Sequence, residues 1–122
     1  MNFIQAIKSG FVNYARFSGR ASRSEFWYWT LFGYLLGVAV AFLEDFIDPI
    51  GYTNNIVSLT NLLGILFILP NISVSVRRLH DVNKTGWLFF ISLTIIGIIP
   101  LIIWYCTKGT NGINPYGIDP LA

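Results

Sequence analysis

Charged residues and cysteines are both scarce in this chain. Of its 122 residues, 11% are charged and 54% are hydrophobic, whereas soluble domains average about 25% charged residues. This low charge argues against a soluble globular fold, which would need more charged residues on its surface. The single cysteine, Cys106, excludes an intramolecular disulfide and a multi-cysteine metal site. The basic residues are diluted among many aromatic ones, so the net charge of +2 does not indicate nucleic-acid binding.

The same scarcity limits the chemistry that the chain can carry out. One histidine, one thiol and scattered carboxylates offer too few ligands for a metal ion. The sequence contains no serine-elbow, phosphate-loop, dinucleotide-binding or zinc-binding spacing. It therefore predicts no catalytic residue, no metal and no cofactor.

Three long apolar runs make up most of what is present. They cover residues 26–43, 56–76 and 87–106, and each has about 18 to 21 residues, enough to cross a hydrocarbon core of about 30 Å as a helix. The aromatic groups Phe26–Trp29 and Trp104–Tyr105 suit the headgroup level. The sequence therefore predicts an all-α integral membrane protein, a single membrane domain over residues 1–122 with three transmembrane helices.

Residues 1–15 have apolar side chains at spacings of three and four with polar residues between them. This pattern indicates an amphipathic helix that is too polar to span the membrane. We expect it to lie in the lipid interface; the alternative is packing against the rest of the protein. Residues 22–25 match a capping box, with Ser22 as N-cap and the Glu25 side chain reaching back, so a helix should begin at about Arg23.

Small and polar residues interrupt the first two apolar runs. Gly33, Gly37 and Ala41 fall four apart, which predicts a helix face that another helix can approach closely. The second run contains Asn61, Pro70 and Asn71. These residues could line a transport path, but amides that bond across the helix bundle are the more common arrangement and the one we expect.

Lysine and arginine residues set the predicted orientation. With three spans, every Lys and Arg except Lys108 lies on the side of the N-terminus and of the charged segment Arg77–Trp87. The positive-inside rule then predicts a cytoplasmic N-terminus and an external C-terminus.

Polar side chains concentrate at this one membrane face. They are Arg20, Arg23, Glu25, Arg77, Arg78, His80 and Asp81. Desolvated charge must be paired, so we expect the two carboxylates to be shared between arginines of both segments as a structural clamp. Alternatively, the surplus positive charge forms a pocket for the phosphate of an anionic lipid or phosphorylated ligand, with His80 as an optional donor. A catalytic dyad is disfavoured because adjacent residues on a helix point about 100° apart.

Three groups of residues resemble a known family. The first combines Gly19 and Arg20 with Arg23 and Glu25–Trp27, and the second combines Arg77–Asp81 with Gly86 and Trp87. The third contains the tail residues Gly109, Thr110, Gly112, Asn114 and Gly117. From about Arg16 to Pro120 the chain resembles the small bacterial inner-membrane proteins similar to YhaH and YhaI, a domain of unknown function (number eight hundred and five). The resemblance implies an integral inner-membrane protein without an assigned activity.

These observations lead to three functional hypotheses. The first is a non-enzymatic membrane component whose cytoplasmic arginine-rich face binds anionic lipid headgroups or a protein partner, which includes a second copy of the chain. The second is a subunit of an oligomeric channel or transporter with Asn61, Pro70 and Asn71 along its path. The third is a lipid-modifying enzyme that uses His80 and Asp81. None of them involves nucleic acid.

Overall fold

The fold is described from a computed structural model, which defines residues 1–51 and 58–121. The helices in these residues are α1 (Phe3–Val12), α2 (Arg23–Ile47), α3 (Leu59–Asp81), a 3₁₀ helix (Gly86–Leu93) and α4 (Ile95–Cys106). Apart from an isolated bridge between Asn114 and Gly117, the described residues form no β-structure. The predicted all-α class is therefore confirmed.

Helices α2 and α3 form an antiparallel pair that is tied at both ends. At one end Arg77 of α3 pairs with Glu25 of α2, and at the other the Glu44 carboxylate accepts a hydrogen bond of 2.7 Å from the Leu59 N–H. With 25 and 23 residues at about 1.5 Å per residue, both helices exceed the roughly 30 Å of a hydrocarbon core. Both are long and apolar enough to cross a membrane.

The starts of these two helices follow from their N-cap residues. Ser22 caps α2 by accepting a hydrogen bond from the Glu25 N–H, so the helix begins at Arg23 as predicted. Ser58 caps α3 in the same way through the Asn61 N–H. The predicted start of the second span, at residue 56, lies outside the described residues.

Helix α1 packs against α2. Its N-terminus carries a capping box between Asn2 and Gln5. Gly10 lies directly on the ring of Trp29, where even a Cβ would collide with the ring atoms. The opposite side of α1 stays open, with Ile4 and Val12 about three-quarters exposed. The helix ends at Val12, short of the predicted Ala15, because the Asn13 backbone leaves the helical range, with φ −100° and ψ 32°. The Asn13 side chain caps this end by donating to the Ser9 carbonyl.

The third apolar run does not form one long helix, so the predicted third transmembrane helix is not confirmed. The 3₁₀ helix and α4 meet at Thr94, whose extended backbone ends one helix and whose side chain caps the next. The run starts at Gly86, beside Val76 and His80 of α3. It returns to the same helix, since Arg78 donates to the Tyr105 carbonyl at 3.3 Å. We call residues 86–106 the re-entrant segment, because both of its ends lie at one end of the α2–α3 pair.

The core lies between α2 and α3. Trp29 stacks on Phe67 with ring centroids 5.3 Å apart, and its Nε1 donates to the Asn71 side chain at 2.8 Å. Asn71 therefore bonds across the helix pair, the arrangement that we expected for the polar residues of this run. Within the predicted aromatic belt, Phe26 and Trp29 are instead buried in this core, because Phe11 of α1 covers Trp29 and Tyr105 of α4 covers Phe26.

The small-residue face of α2 borders a cleft of about 360 Å³ that it shares with α3. A Cβ at Gly33 would lie 3.8 Å from the Phe67 ring, whereas a Cβ at Gly37 would have no atom within 4 Å. Ala41 is half-buried on the same helix. Close helix packing along this face stays a prediction.

Candidate functional site

A cluster of buried charges joins α2, α3 and the C-terminal tail. We define the arginine cluster as Arg20, Glu25, Arg77, Arg78 and Asp81. All five residues are buried, and Arg78 has no exposed surface. A cluster of five charged residues at this depth is costly unless each charge is paired and hydrogen-bonded.

Asp81, in the last turn of α3, is the centre of the cluster. Its Oδ1 accepts from Arg20, which precedes α2, at 2.9 Å. Its Oδ2 accepts from Arg78, one turn earlier in α3, at 2.5 Å. This carboxylate thus joins arginines from both segments, and removing one partner of such a buried pair costs about 3–5 kcal/mol.

Glu25 forms a second, separate ion pair. Its Oε1 accepts from Arg77 Nη1 at 2.9 Å and from the Ser9 hydroxyl of α1 at 2.6 Å. The predicted capping box is therefore only half present, since Ser22 caps the Glu25 N–H while the Glu25 carboxylate turns to Arg77. A charge-assisted hydrogen bond is stronger than one from a neutral amide, which explains the preference.

Main-chain carbonyls complete the pairing of Arg20 and Arg78. Arg20 donates to the carbonyls of Thr110, Gly112 and Gly117, at 2.6 Å in the case of Gly112. Arg78 donates to the Tyr105 and Thr107 carbonyls at the end of α4, where the helix dipole adds negative potential. These carbonyls accept hydrogen bonds from the guanidinium N–H groups that do not donate to a carboxylate. The sequence did not predict this role, because every residue has a main-chain carbonyl and the residue types do not show which of them accept a hydrogen bond from an arginine.

The tail, residues 107–121, is held against the end of α3. The Thr110 N–H donates to the Asp81 carbonyl at 2.8 Å, and the Asn114 side chain donates to the His80 carbonyl at 2.9 Å. Gly109 passes so close to Asp81 that a Cβ would overlap its carboxylate. The tail therefore lies at the same end of the α2–α3 pair as Arg20, and the structure does not support the predicted C-terminus on the opposite side.

The remaining predicted site residues lie at the edge of the cluster. Arg23 is exposed and donates to the Cys106 carbonyl at 3.2 Å. His80 bonds to the Gly19 carbonyl through Nδ1 at 2.9 Å and stacks on Tyr116. Since the Asp81 oxygens both accept from arginines, His80 and Asp81 do not form a dyad.

Arg77 is the one arginine of the cluster whose donors are incompletely used. Its Nε and Nη2 are buried without a hydrogen-bond partner, although an unpaired buried donor costs about 1–3 kcal/mol. These two groups share one edge of the planar guanidinium, the edge that binds two oxygens of a carboxylate or phosphate. Arg77 lines a cavity of about 560 Å³ between α1, the start of α2 and the tail.

Two further features limit the chemistry of this end of the molecule. Among residues 1–51 and 58–121, no three His, Cys, Asp or Glu side chains are grouped to hold a metal ion.

In the tail, backbone N–H groups of Leu121 and Gly112 donate to Asp119 and lower the pKa of its carboxyl below the usual value. Asp119 therefore contributes a negative charge near Arg20.

Comparisons with known proteins agree with a membrane protein. The family model described as "Protein of unknown function (DUF805)" matches residues 14–118. The inner membrane protein YhaI of Escherichia coli (strain K12) is 36% identical over 109 residues, covering 88% of each chain. The inner membrane protein YhaH of the same strain is 34% identical over 110 residues, covering 88% of this chain and 89% of YhaH. No solved structure matches the chain.

Proposed function

Because this chain belongs to the DUF805 family of proteins of unknown function, whose Escherichia coli relatives are inner membrane proteins, we propose that it is a non-enzymatic membrane component whose cytoplasmic, arginine-rich face binds anionic lipid headgroups. The observation that best supports this proposal is the separation of basic and acidic residues along the α2–α3 pair. All eight Lys and Arg residues belong to segments at the end of the pair that holds the arginine cluster. The acidic residues Glu44, Asp45 and Asp48 lie at the other end.

The proposed topology has two transmembrane helices, α2 and α3, with both termini in the cytoplasm. With two spans the tail and Lys108 join the basic side, so the charge asymmetry is larger than the three-span prediction gave. The positive-inside rule then assigns this side to the cytoplasm. The bacterial inner membrane presents anionic headgroups at that face, which attract basic residues by about 1 kcal/mol each near the surface.

Exposed apolar surface supports a shallow position for α1 and the re-entrant segment. Leu93, Ile95 and Ile96 at the turn of the re-entrant segment are more than four-fifths exposed. Together with the open face of α1, they form a surface that suits the boundary between headgroups and acyl chains. In the proposed arrangement both elements lie in the cytoplasmic leaflet, and α1 is both packed on α2 and interfacial.

Native mass spectrometry of the full chain tests the proposal. The protein is released from nanodiscs that contain equal amounts of phosphatidylglycerol and phosphatidylcholine. We expect bound phosphatidylglycerol to exceed bound phosphatidylcholine, with the difference shrinking in high salt as surface charges are screened. Equal retention of the two lipids at low salt would refute anionic-lipid binding.

The alternative of a channel or transporter subunit has one supporting feature, the cleft between α2 and α3. However, Asn71 already accepts from Trp29, and Pro70 is buried. These contacts favour the membrane component over a transport path.

A further inference from the structure

We propose that the cavity beside Arg77 is a phosphate-binding site, in which the free edge of the Arg77 guanidinium binds two phosphate oxygens and Arg16 binds a third. The inference deepens the proposed function, since it places headgroup recognition in one built cavity instead of on the general basic surface. It assigns the recognition to Arg77 and Arg16, and leaves Arg78 and His80 to hold the fold.

The donor geometry of Arg77 carries the proposal. Nη1 is fixed by Glu25 at 2.9 Å, so the guanidinium cannot turn freely to find other partners. This orientation leaves Nε and Nη2 together, buried and unbonded. A buried fork of two charged donors is satisfied by an oxyanion that presents two oxygens to it, with two parallel hydrogen bonds.

The charge of the cavity walls favours an anion. Arg16, Arg20 and Arg77 line the cavity, against the single carboxylate of Glu25. Glu25 is already neutralised by Arg77 and hydrogen-bonded by Ser9. Arg20 already donates to Asp81 and to tail carbonyls. Arg16 also lines the cavity, and its side chain is exposed and can reach a ligand.

The position of Arg16 selects phosphate over carboxylate. Its guanidinium lies over Gly19, where a Cβ would be 3.5 Å from Nη2, and its side-chain hydrogen bond to Asn13 Oδ1 is long, at 3.5 Å. The Arg16 side chain can therefore move towards a ligand at little cost in free energy. A carboxylate has only two oxygens, both of which would face the Arg77 fork, whereas a phosphate has a third oxygen, outside the plane of that fork, that is available to Arg16.

A lipid headgroup and a soluble phosphate supply the same chemistry, so binding is measured for both. The full chain is delipidated in a neutral detergent and titrated with inorganic phosphate by isothermal calorimetry. In a second arm, native mass spectrometry records retention of phosphatidylglycerol. Binding in the first arm alone assigns the site to phosphate from solution, binding in the second alone assigns it to the headgroup, and binding in both shows that the cavity accepts either source.

Arg16→Gln and Arg23→Gln form a matched pair of variants. Both remove one exposed charge at the same end of the molecule, but Arg23 lies outside the cavity. We expect Arg16→Gln to weaken the binding of inorganic phosphate about tenfold, through the loss of one charge-assisted hydrogen bond, and Arg23→Gln to change the binding of inorganic phosphate less than about twofold. Arg77→Lys, which keeps the charge but removes the fork, should abolish binding; if it does not fold, the Arg16 and Arg23 pair decides.

The outcomes separate this site from the proposed function. Anionic-lipid retention that falls equally in Arg16→Gln and Arg23→Gln would overturn the site and leave the proposed function standing. Phosphate binding that is lost in Arg16→Gln, without any preference for anionic lipid, would uphold the site and refute the proposed function. No binding in either arm would overturn both.

Discussion

Arg20 and Asp81 form an ion pair of 2.9 Å although 61 positions separate them in the chain. Arg20 precedes α2 and Asp81 ends α3, so the pair fastens the two helices at one end. Arg20 also donates to tail carbonyls, and the tail N–H of Thr110 donates to the Asp81 carbonyl. One arginine and one aspartate therefore hold three separate segments of the chain together.

Removing either partner of the Arg78–Asp81 pair should destabilise the protein. We expect Asp81→Ala to lower the free energy of unfolding by about 3–5 kcal/mol, because it leaves the buried charges of Arg20 and Arg78 without a carboxylate. Arg78→Ala should lower it by less, because Asp81 keeps its ion pair with Arg20. Thermal unfolding in detergent measures the effect, with the exposed Lys84→Ala as a control that stays near the unmodified protein. If Arg78→Ala instead released anionic lipid at an unchanged melting temperature, Arg78 would belong to a lipid pocket and not to a clamp.

Gly109 should not tolerate a side chain. A Cβ there would overlap the Asp81 carboxylate, which two arginines hold in place. We expect Gly109→Ala to cost about 1–3 kcal/mol of stability, the usual range for overpacking, and to loosen the tail. Gly37→Ala is the matched control, because its Cβ would meet no atom within 4 Å. Equal melting temperatures for the two variants would contradict the close contact.

The sequence predicted those parts of the fold that depend on local signals. Ser22 marks the start of α2, and two of the three apolar runs form long helices. The third run is similar in length and also apolar, yet it folds back because Gly86 and Arg78 tie its two ends to α3. Hydropathy cannot detect such a return, since it depends on contacts between distant residues and on the break at Thr94.

The candidate site likewise combines features that the sequence predicted with features that it did not. The spacing of the charged residues predicted two motifs at one depth, and the structure places Arg20, Arg77 and Arg78 beside the two carboxylates. The tail carbonyls that complete the pairing belong to the backbone and have no signature of residue type. The unused edge of Arg77 follows from the Glu25 pair on its other side, a consequence of orientation that no spacing encodes.

The contact of Gly10 with Trp29 predicts how α1 can be detached. Any side chain at position 10 would enter the Trp29 ring, so Gly10→Leu should separate α1 from α2 while the α2–α3 pair stays folded. Hydrogen exchange measured by mass spectrometry should then rise across Phe3–Val12 and little elsewhere. Ile4→Ala, on the open face of α1, serves as the control. Unchanged exchange in Gly10→Leu would show that α1 is held by other contacts.

The last prediction concerns the threading of the chain through the membrane. With two transmembrane helices and a re-entrant segment, a reporter fused after Lys84 and one fused at the C-terminus should both lie in the cytoplasm. A reporter inserted after Gly51, at the acidic end of α2, should lie outside. The expectation follows because the tail bonds to Arg20 and Asp81, at the end that also contains all the Lys and Arg residues. A C-terminal reporter outside the cell would require the re-entrant segment to unfold into a third span and would break every hydrogen bond between the tail and Arg20.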